Sequence, residues 1–438
     1  MFDATMIVMG GIIGSGIFIN PYVVARQVHT PLLILGAWAV GGLIALAGAF
    51  IYAELASLRP NVGGQYAYIR EAFHPAAAFI YGWTLLLVVQ SGGMAAVAVT
   101  FARYFLDLTH LATTDWVVAA IALGALTLIN CLGVRAGSSV QSALMVLKIL
   151  AIAALIVIGF TVDSEWAALS GNRASQPAET SPADLSLVTA FGAAMVPVLF
   201  AYGGWQTSSF VAGEMREPRK NLPRGLLIGV AGVIVLYLLV NVVCLHALGV
   251  EGLANTSTPA SEVMWRALGE RGRTLIAVGI AISTLGFLSQ GMLTAPRVYF
   301  AMAEDGLFFK RVAWLHPHTR VPVVAIALQG ALAIVIATSG RYEQILNYVV
   351  SIDSIFFGLT AACLFALRKR GALANEHATG RSYALKVSAG VVILFIAAEW
   401  LVAASAIYKY PTNSVIGLAI LVAGIPVYFF WRGRRNRG

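Results

Sequence analysis

The sequence predicts an all-α integral membrane protein of twelve transmembrane helices, the first and sixth of them unwound partway across. Three observations carry this. Hydrophobic residues fill 59% of the 438 positions and charged residues only 11%, against roughly 25% charged in a soluble domain, too little polar surface to cover a soluble fold. Apolar stretches bounded by charges recur along the whole chain, each near the ~20 residues that cross a bilayer as a helix. Two of these stretches are interrupted by glycines at matched positions about 190 residues apart.

In order, spans 4–25, 31–53, 75–102, 116–134 and 136–162 form a first group of five. A second five follow at 185–213, 225–245, 274–303, 321–340 and 344–367, and a last pair at 387–408 and 410–431. Span one opens almost at the first residue with Asp3 as its only early charge, unlike the basic leader of a cleavable signal peptide. The longer connections, 162–184 and 250–273, are too short to fold as domains. Sorting the loops onto alternate sides puts 19 Lys and Arg on one side and 8 on the other, so the basic side, with both termini, is expected in the cytoplasm. That distribution accounts for the net charge of +9 without a nucleic-acid partner. The run Arg432-Gly433-Arg434-Arg435 reads as a basic end facing anionic lipid.

Cys131, Cys244 and Cys363 lie at or within spans, an odd set that gives no disulfide framework. Asn255-Thr256-Ser257 matches the glycosylation triplet, a motif short enough to arise by chance.

The chemistry is in the interruptions. Gly10-Gly11-Ile12-Ile13-Gly14-Ser15-Gly16 lies mid-span, where each glycine costs about 1 kcal/mol of helix propensity relative to alanine. Span six carries Pro197 and then Ala201-Tyr202-Gly203-Gly204-Trp205. Paired interruptions in corresponding spans point to a transport site near the bilayer midplane. One such cluster alone reads equally as close helix packing through small residues, the reading given to Gly41-Gly42 and Gly92-Gly93. Irregular backbone at membrane depth must be buried in protein or line a polar cavity. The amides of Gly14, Ser15 and Gly16, at the start of a half-helix, suit an anion. The freed carbonyls of Phe200, Ala201 and Gly203, with those of Ile12 and Ile13, suit an ammonium. A carboxylate and an ammonium on one carbon describe an α-amino acid.

Here the chain resembles the amino acid–polyamine–organocation superfamily. The likeness rests on Gly14-Ser15-Gly16-Ile17-Phe18, on Glu54-Leu55-Ala56 with Pro60, Gly63-Gly64 and Tyr66, on Ala201-Tyr202-Gly203-Gly204-Trp205, and on Gly213-Glu214-Met215-Arg216-Glu217-Pro218-Arg219-Lys220-Asn221-Leu222-Pro223. It runs on through Arg297 and Asp305-Gly306 to the last repeat helix, and is strongest to bacterial relatives of the L-type amino acid transporters. The resemblance implies a five-plus-five inverted repeat, residues 1–162 and 185–370, with 385–438 as two further helices and a basic end. It implies alternating access around a central amino acid, with helix-one amides on the carboxylate, helix-six carbonyls on the amine, and Phe200 as the gate over the substrate. Trp205 reads either as a neighbour of that gate or as a packed helix residue.

Lys148 is a charge deep in span five, which costs at least about 2.5–3.5 kcal/mol against lipid. It faces either the bundle interior or, by snorkelling, the membrane surface. The resemblance places a lysine here where sodium-driven relatives hold a cation, tying helix five to the Gly14-Ser15-Gly16 turn and to helix eight around Ser283. It therefore implies sodium-independent transport and leaves open whether Lys148 gives up its proton during the cycle. Tyr237 matches a family tyrosine near the same lock. Asp353 in span ten is a second intramembrane charge and by default a functional candidate, for side-chain selection or for pairing within the bundle. Arg297 reads as a snorkelling charge, Glu399 as half of an internal pair, and the charges of 214–224 as an inner-gate ion network.

The resulting expectation is a sodium-independent transporter or exchanger of small-to-medium neutral L-amino acids. A proton-coupled or cationic amino acid or polyamine permease is the alternative. An enzyme is not expected, since the zinc His-Glu-x-x-His and the Gly-x-Ser-x-Gly elbow are both missing from the sequence. Neither a metal nor a cofactor is expected, His316-Pro317-His318 having no carboxylate beside it. A channel would call for intact helices or a filter sequence. The expected partners are the amino acid and the lipid bilayer. Eukaryotic L-type members attach to a heavy chain through a cysteine between helices three and four, and residues 103–115 contain none, so a stand-alone protein of a bacterial inner membrane is the expectation.

Overall fold

The computed structural model describes residues 1–59, 63–164, 184–215, 217–339, 342–374 and 386–435. Pro60, Arg216 and nearly all of the 162–184 connection among the features above lie outside them. The helices are α1 (Phe2–Ile12), α2 (Gly16–Val28), α3 (Pro31–Leu58), α4 (Gln65–Ala72), α5 (Pro75–Thr84), α6 (Ser91–Thr109), α7 (Asp115–Cys131) and α8 (Val134–Gly159). They continue as α9 (Asp184–Tyr202), α10 (Pro218–Asn255), α11 (Pro259–Leu268), α12 (Glu270–Thr294), α13 (Pro296–Glu304), α14 (Val323–Ser339), α15 (Tyr342–Ala374), α16 (Ala389–Lys409) and α17 (Pro411–Arg435).

Among the described residues, eight helical segments are long and apolar enough to cross a membrane, and α1 with α2 make a further span bent by 43°. Asp115–Cys131, Ala143–Gly159 and Val323–Thr338 are shorter apolar helices. The span predicted at 75–102 is one helix in three parts, α5 and α6 joined through a π-helical turn at Leu85–Gln90. The span predicted at 225–245 is only the middle of the longer α10, which is kinked at Gly249, and the 250–273 connection contains the short helix α11.

Local chemistry sets several ends. Thr30 caps α3 by accepting from the Leu33 amide, with Pro31 in the first turn, where its missing N–H costs nothing. Ser388 caps α16 in the same way through Val391. The burial pattern is inverted relative to a soluble protein. Leu43, Leu128 and Leu401 are exposed on the outside, whereas Gln90, Lys148, Ser283 and Gln290 are buried inside. Exposed apolar surface on this scale marks a surface that meets something other than water, here lipid.

Candidate functional site

The interruption of the first span is a three-residue break. α1 ends at Ile12, Ile13 is extended with ψ 96°, and α2 starts at Gly16. Nothing among the described residues accepts from the amides of Gly14, Ser15 or Gly16. Open amides at the start of a half-helix make a ready anion site. The Ser15 hydroxyl is also buried, with no hydrogen-bond partner among the described residues.

The second interruption has a different form. α9 carries Pro197 and runs to Tyr202. After Gly203-Gly204 the chain continues from Trp205 to Glu214 as a ten-residue 3₁₀ helix, far longer than the three or four residues usual for that geometry. The two breaks touch backbone to backbone. A Cβ on Gly204 would sit 1.9 Å from the Gly11 carbonyl oxygen, and Gly204 has φ +104°. A Cβ on Gly16 would sit 2.8 Å from the Ala201 Cα. Glycine is required at these places because the crossing leaves no room for a side chain. Asn20 of α2 adds a side-chain bond of 2.6 Å to the Pro197 carbonyl of α9.

The breaks form one wall of a cavity with about 900 Å³ of empty space, open solvent at its mouth included. Gly11, Ile12 and Gly14–Gly16 line it from the first break, and Leu199–Thr207 from the second. Gln90, Gly93, Phe287, Gln290, Asp353, Phe357 and Glu399 lie on its other sides. Of the sequence candidates, Ile12, Gly14, Ser15, Gly16, Phe200, Ala201, Gly203 and Asp353 are therefore brought together. Ile13 is set back from the cavity, and its carbonyl accepts from the Lys148 Nζ.

Lys148 lies behind the first break and is fully buried. Besides Ile13 it reaches the Gly10 carbonyl at 3.5 Å. Ser283 of α12 reaches the Gly14 carbonyl at 3.4 Å, and the Tyr237 hydroxyl of α10 lies 3.2 Å from both the Ile12 and the Ala201 carbonyls. The protein thus supplies donors to carbonyls of both breaks, including three that the sequence offered to a ligand ammonium. A carbonyl has a second lone pair, so these bonds tie the breaks together without using up their acceptors. Of the two readings of Lys148, the structure shows the inward-facing one.

Phe287, Thr207 and Gln290 on the cavity wall escaped the sequence reading. Phe287 lies against Gly14, where a Cβ would come within 3.0 Å of its ring. The Gln290 amide donates to the Thr207 hydroxyl at 2.8 Å, which in turn donates to the Gly204 carbonyl at 2.6 Å, bracing the second break from α12. Gly93 lines the cavity and has open space around it, whereas a Cβ on Gly92 would meet Val349 and Tyr348. Trp205 stacks on Phe357 at 5.2 Å and meets Tyr52 edge-on at 4.7 Å. Long glutamines and single aromatics carry no spacing signal, and only the fold brings them to the breaks.

Two sequence assignments are corrected. Arg297 does not snorkel. It is buried and ion-paired with Glu214, the last residue of the 3₁₀ helix, at 2.9 Å. Glu399 makes no ion pair among the described residues and lines the cavity. The Arg297–Glu214 pair belongs to a cluster at one end of the bundle. There Arg368 of α15 holds Glu54 of α3 through two bonds of 2.7 and 2.5 Å, and the Val387 amide donates to the same carboxylate. Asp305 is ion-paired with Arg70 of α4 and accepts from the Tyr66 hydroxyl at 2.7 Å. Burial pushes the Tyr66 hydroxyl up to about 12, against a smaller opposite pull from Arg70, so it stays a neutral donor.

A multi-span helical bundle with two touching helix breaks around a buried, partly polar cavity defines a membrane transport protein. The chain belongs to the amino acid permease family, whose model, described as "Amino acid permease", matches residues 1–430. It is 30% identical to the serine/threonine exchanger SteT of Bacillus subtilis (strain 168), covering 99% of this chain and 96% of that one. It is 30% identical to the large neutral amino acids transporter small subunit 2 of Mus musculus, covering 99% and 81%, and 29% identical to the Asc-type amino acid transporter 1 of Mus musculus, with the same coverage.

Proposed function

We propose that this protein is a sodium-independent amino acid exchanger that carries small-to-medium neutral L-amino acids by alternating access. In this reading the helices form a five-plus-five inverted repeat, residues 1–162 and 185–370, with 385–438 outside it. The protein lies in a bacterial inner membrane with both termini cytoplasmic, and works without a disulfide-linked heavy chain. The amides of Gly14, Ser15 and Gly16 take the substrate carboxylate, the carbonyls of Phe200, Ala201 and Gly203 with the second lone pair at Ile12 take its ammonium, while Ile13, expected to join them, is set back on Lys148, and Phe200 closes over it.

The observation that carries the reading is the buried Lys148 ammonium on the Ile13 and Gly10 carbonyls. A fixed cation at the break does the electrostatic work of a bound sodium ion, neutralising the carbonyl dipoles it contacts. Ser283 and Tyr237 complete the lock, and the Arg297–Glu214 and Arg368–Glu54 pairs hold the cytoplasmic end closed. The names of the relatives, a serine/threonine exchanger and neutral amino acid transporters, support this substrate range. A second reading, a carrier of cationic amino acids, is favoured by the acidic side chains Asp353 and Glu399 on the cavity wall.

The deciding experiment uses purified protein in liposomes loaded with unlabelled alanine and follows uptake of labelled alanine. Uptake that needs internal amino acid and is indifferent to external sodium is the expected result. Strict sodium dependence would refute the role given to Lys148, and uptake into empty vesicles driven by a pH step would replace exchange with proton symport.

A further inference from the structure

At one end of the bundle, two segments far apart in the chain meet through aromatic rings. The segment after α13 turns through a short 3₁₀ helix, Lys310–Ala313, and the Phe309 ring just before it packs edge-on against Trp431 of α17 at 4.7 Å. Val312 is buried, which leaves Lys310 and Arg311 exposed on the outer side of the turn. Arg432 follows Trp431 and is exposed as well. None of these three cations makes an ion pair among the described residues, and neither 306–341 nor 410–438 contains an acidic residue. Of the acids just before the turn, Asp305 is held by Arg70, leaving Glu304 as the exposed acid nearby in the chain. Beside the cations in both segments, Phe309, Trp314, Phe429 and Phe430 stand 47–62% exposed.

Aromatic rings favour the border between headgroups and acyl chains, and a Lys or Arg beside them keeps its stem on apolar surface while its charge reaches the phosphate layer. A zwitterionic headgroup brings its own cation and offsets unpaired protein cations poorly. A headgroup of net negative charge carries no such penalty. We propose that Lys310, Arg311 and Arg432, around the Phe309–Trp431 contact, form a binding site for a phospholipid with an anionic headgroup, its phosphate on the cations and its acyl chains along the exposed rings of α17. A basic tail alone would attract any anionic surface. Here the aromatic contact gathers cations from residues more than a hundred positions apart, which makes a site and not a diffuse attraction. The lipid bridges α17 to the connection after α13, whose Asp305 joins Arg70 and Tyr66. The proposal does not depend on which amino acid fills the cavity.

Thermal unfolding of the full chain in detergent, titrated with phosphatidylglycerol, tests the site. The expected result is a saturable rise in melting temperature of about 2 °C or more, absent with phosphatidylcholine, inorganic phosphate or a polyglutamate peptide at matched concentration. Salt at about 1 M, where the screening length falls to ~3 Å, should weaken the response of the unaltered protein. In the variant carrying Lys310→Gln, Arg311→Gln and Arg432→Gln, the half-saturating concentration should rise about tenfold or more. All three side chains are exposed, so the fold does not depend on them. Lys409→Gln removes an exposed cation at the opposite end of α17 and should leave the titration unchanged. No response to phosphatidylglycerol, an equal response to phosphatidylcholine, or a response untouched by salt or by the triple variant would overturn the proposal, as would an equal loss in Lys409→Gln. An equal response to inorganic phosphate would replace it with a simple anion site, and one to polyglutamate with a surface for an acidic protein segment.

Discussion

Replacing Lys148 with methionine is the sharpest test of how the breaks are held. The lysine is fully buried, bonds the Ile13 carbonyl and reaches the Gly10 carbonyl at 3.5 Å. A hydrogen bond from a charged donor contributes about 1.5–3 kcal/mol, and a buried carbonyl left without it costs ~1–3 kcal/mol. Methionine keeps the volume, so the loss is electrostatic and local. Taking ~2–3 kcal/mol as the penalty on the ordered break, the substrate-ready population should fall roughly 30- to 150-fold at about 1.4 kcal/mol per factor of ten. Global stability need not fall with it, because an apolar replacement of a buried charge is often neutral or stabilising. The assay is therefore alanine exchange at matched protein per liposome, with alanine-induced protection against heating as a separate reading of binding. Exchange within about threefold of the unaltered protein would show that Lys148 does not hold the break.

The remaining predictions follow the same contacts. Gly204→Ala should abolish both folding yield and transport, since its Cβ would fall 1.9 Å from the Gly11 carbonyl oxygen at φ +104°; a well-expressed, active variant would mean the breaks do not cross there. Gly203→Ala meets only the Leu199 and Phe200 carbonyls, at 3.3 Å, and should fold normally while competition by larger amino acids weakens about tenfold relative to alanine. Arg368→Ala leaves the nearly buried Glu54 carboxylate without its cation and should cost about 3 kcal/mol or more, read as a clear drop in melting temperature in detergent; an unchanged melting temperature would remove this pair from the structural frame.

How much of this was legible in the sequence differs from part to part. The membrane class followed from composition, and most span limits fell within a few residues of the helices, because the length of an apolar run is set locally by bilayer thickness. The glycine clusters pointed to the two breaks for the same reason, since helix propensity is a property of the segment itself. Their forms did not follow. The long 3₁₀ stretch from Trp205 to Glu214 has no signature in its residues and is held by Thr207, Gln290 and the Arg297–Glu214 pair, contacts made across the fold. Arg297 was misread because its distance along the chain from Glu214 hides a direct ion pair. Glu399 was read as internally paired because a lone acid in an apolar helix gives no clue to what lies opposite.

The sequence by itself determined the solvent of this protein, the rough limits of most of its apolar helices, and the two places where the helices are interrupted. Each of these is written in local composition. Only the tertiary structure decided that Gly11 and Gly204 meet, that Lys148 turns inward to the Ile13 carbonyl, and that Asp353 and Glu399 share one cavity wall. Those outcomes depend on which faces of distant helices come into register, and that register is fixed by packing summed over the whole bundle.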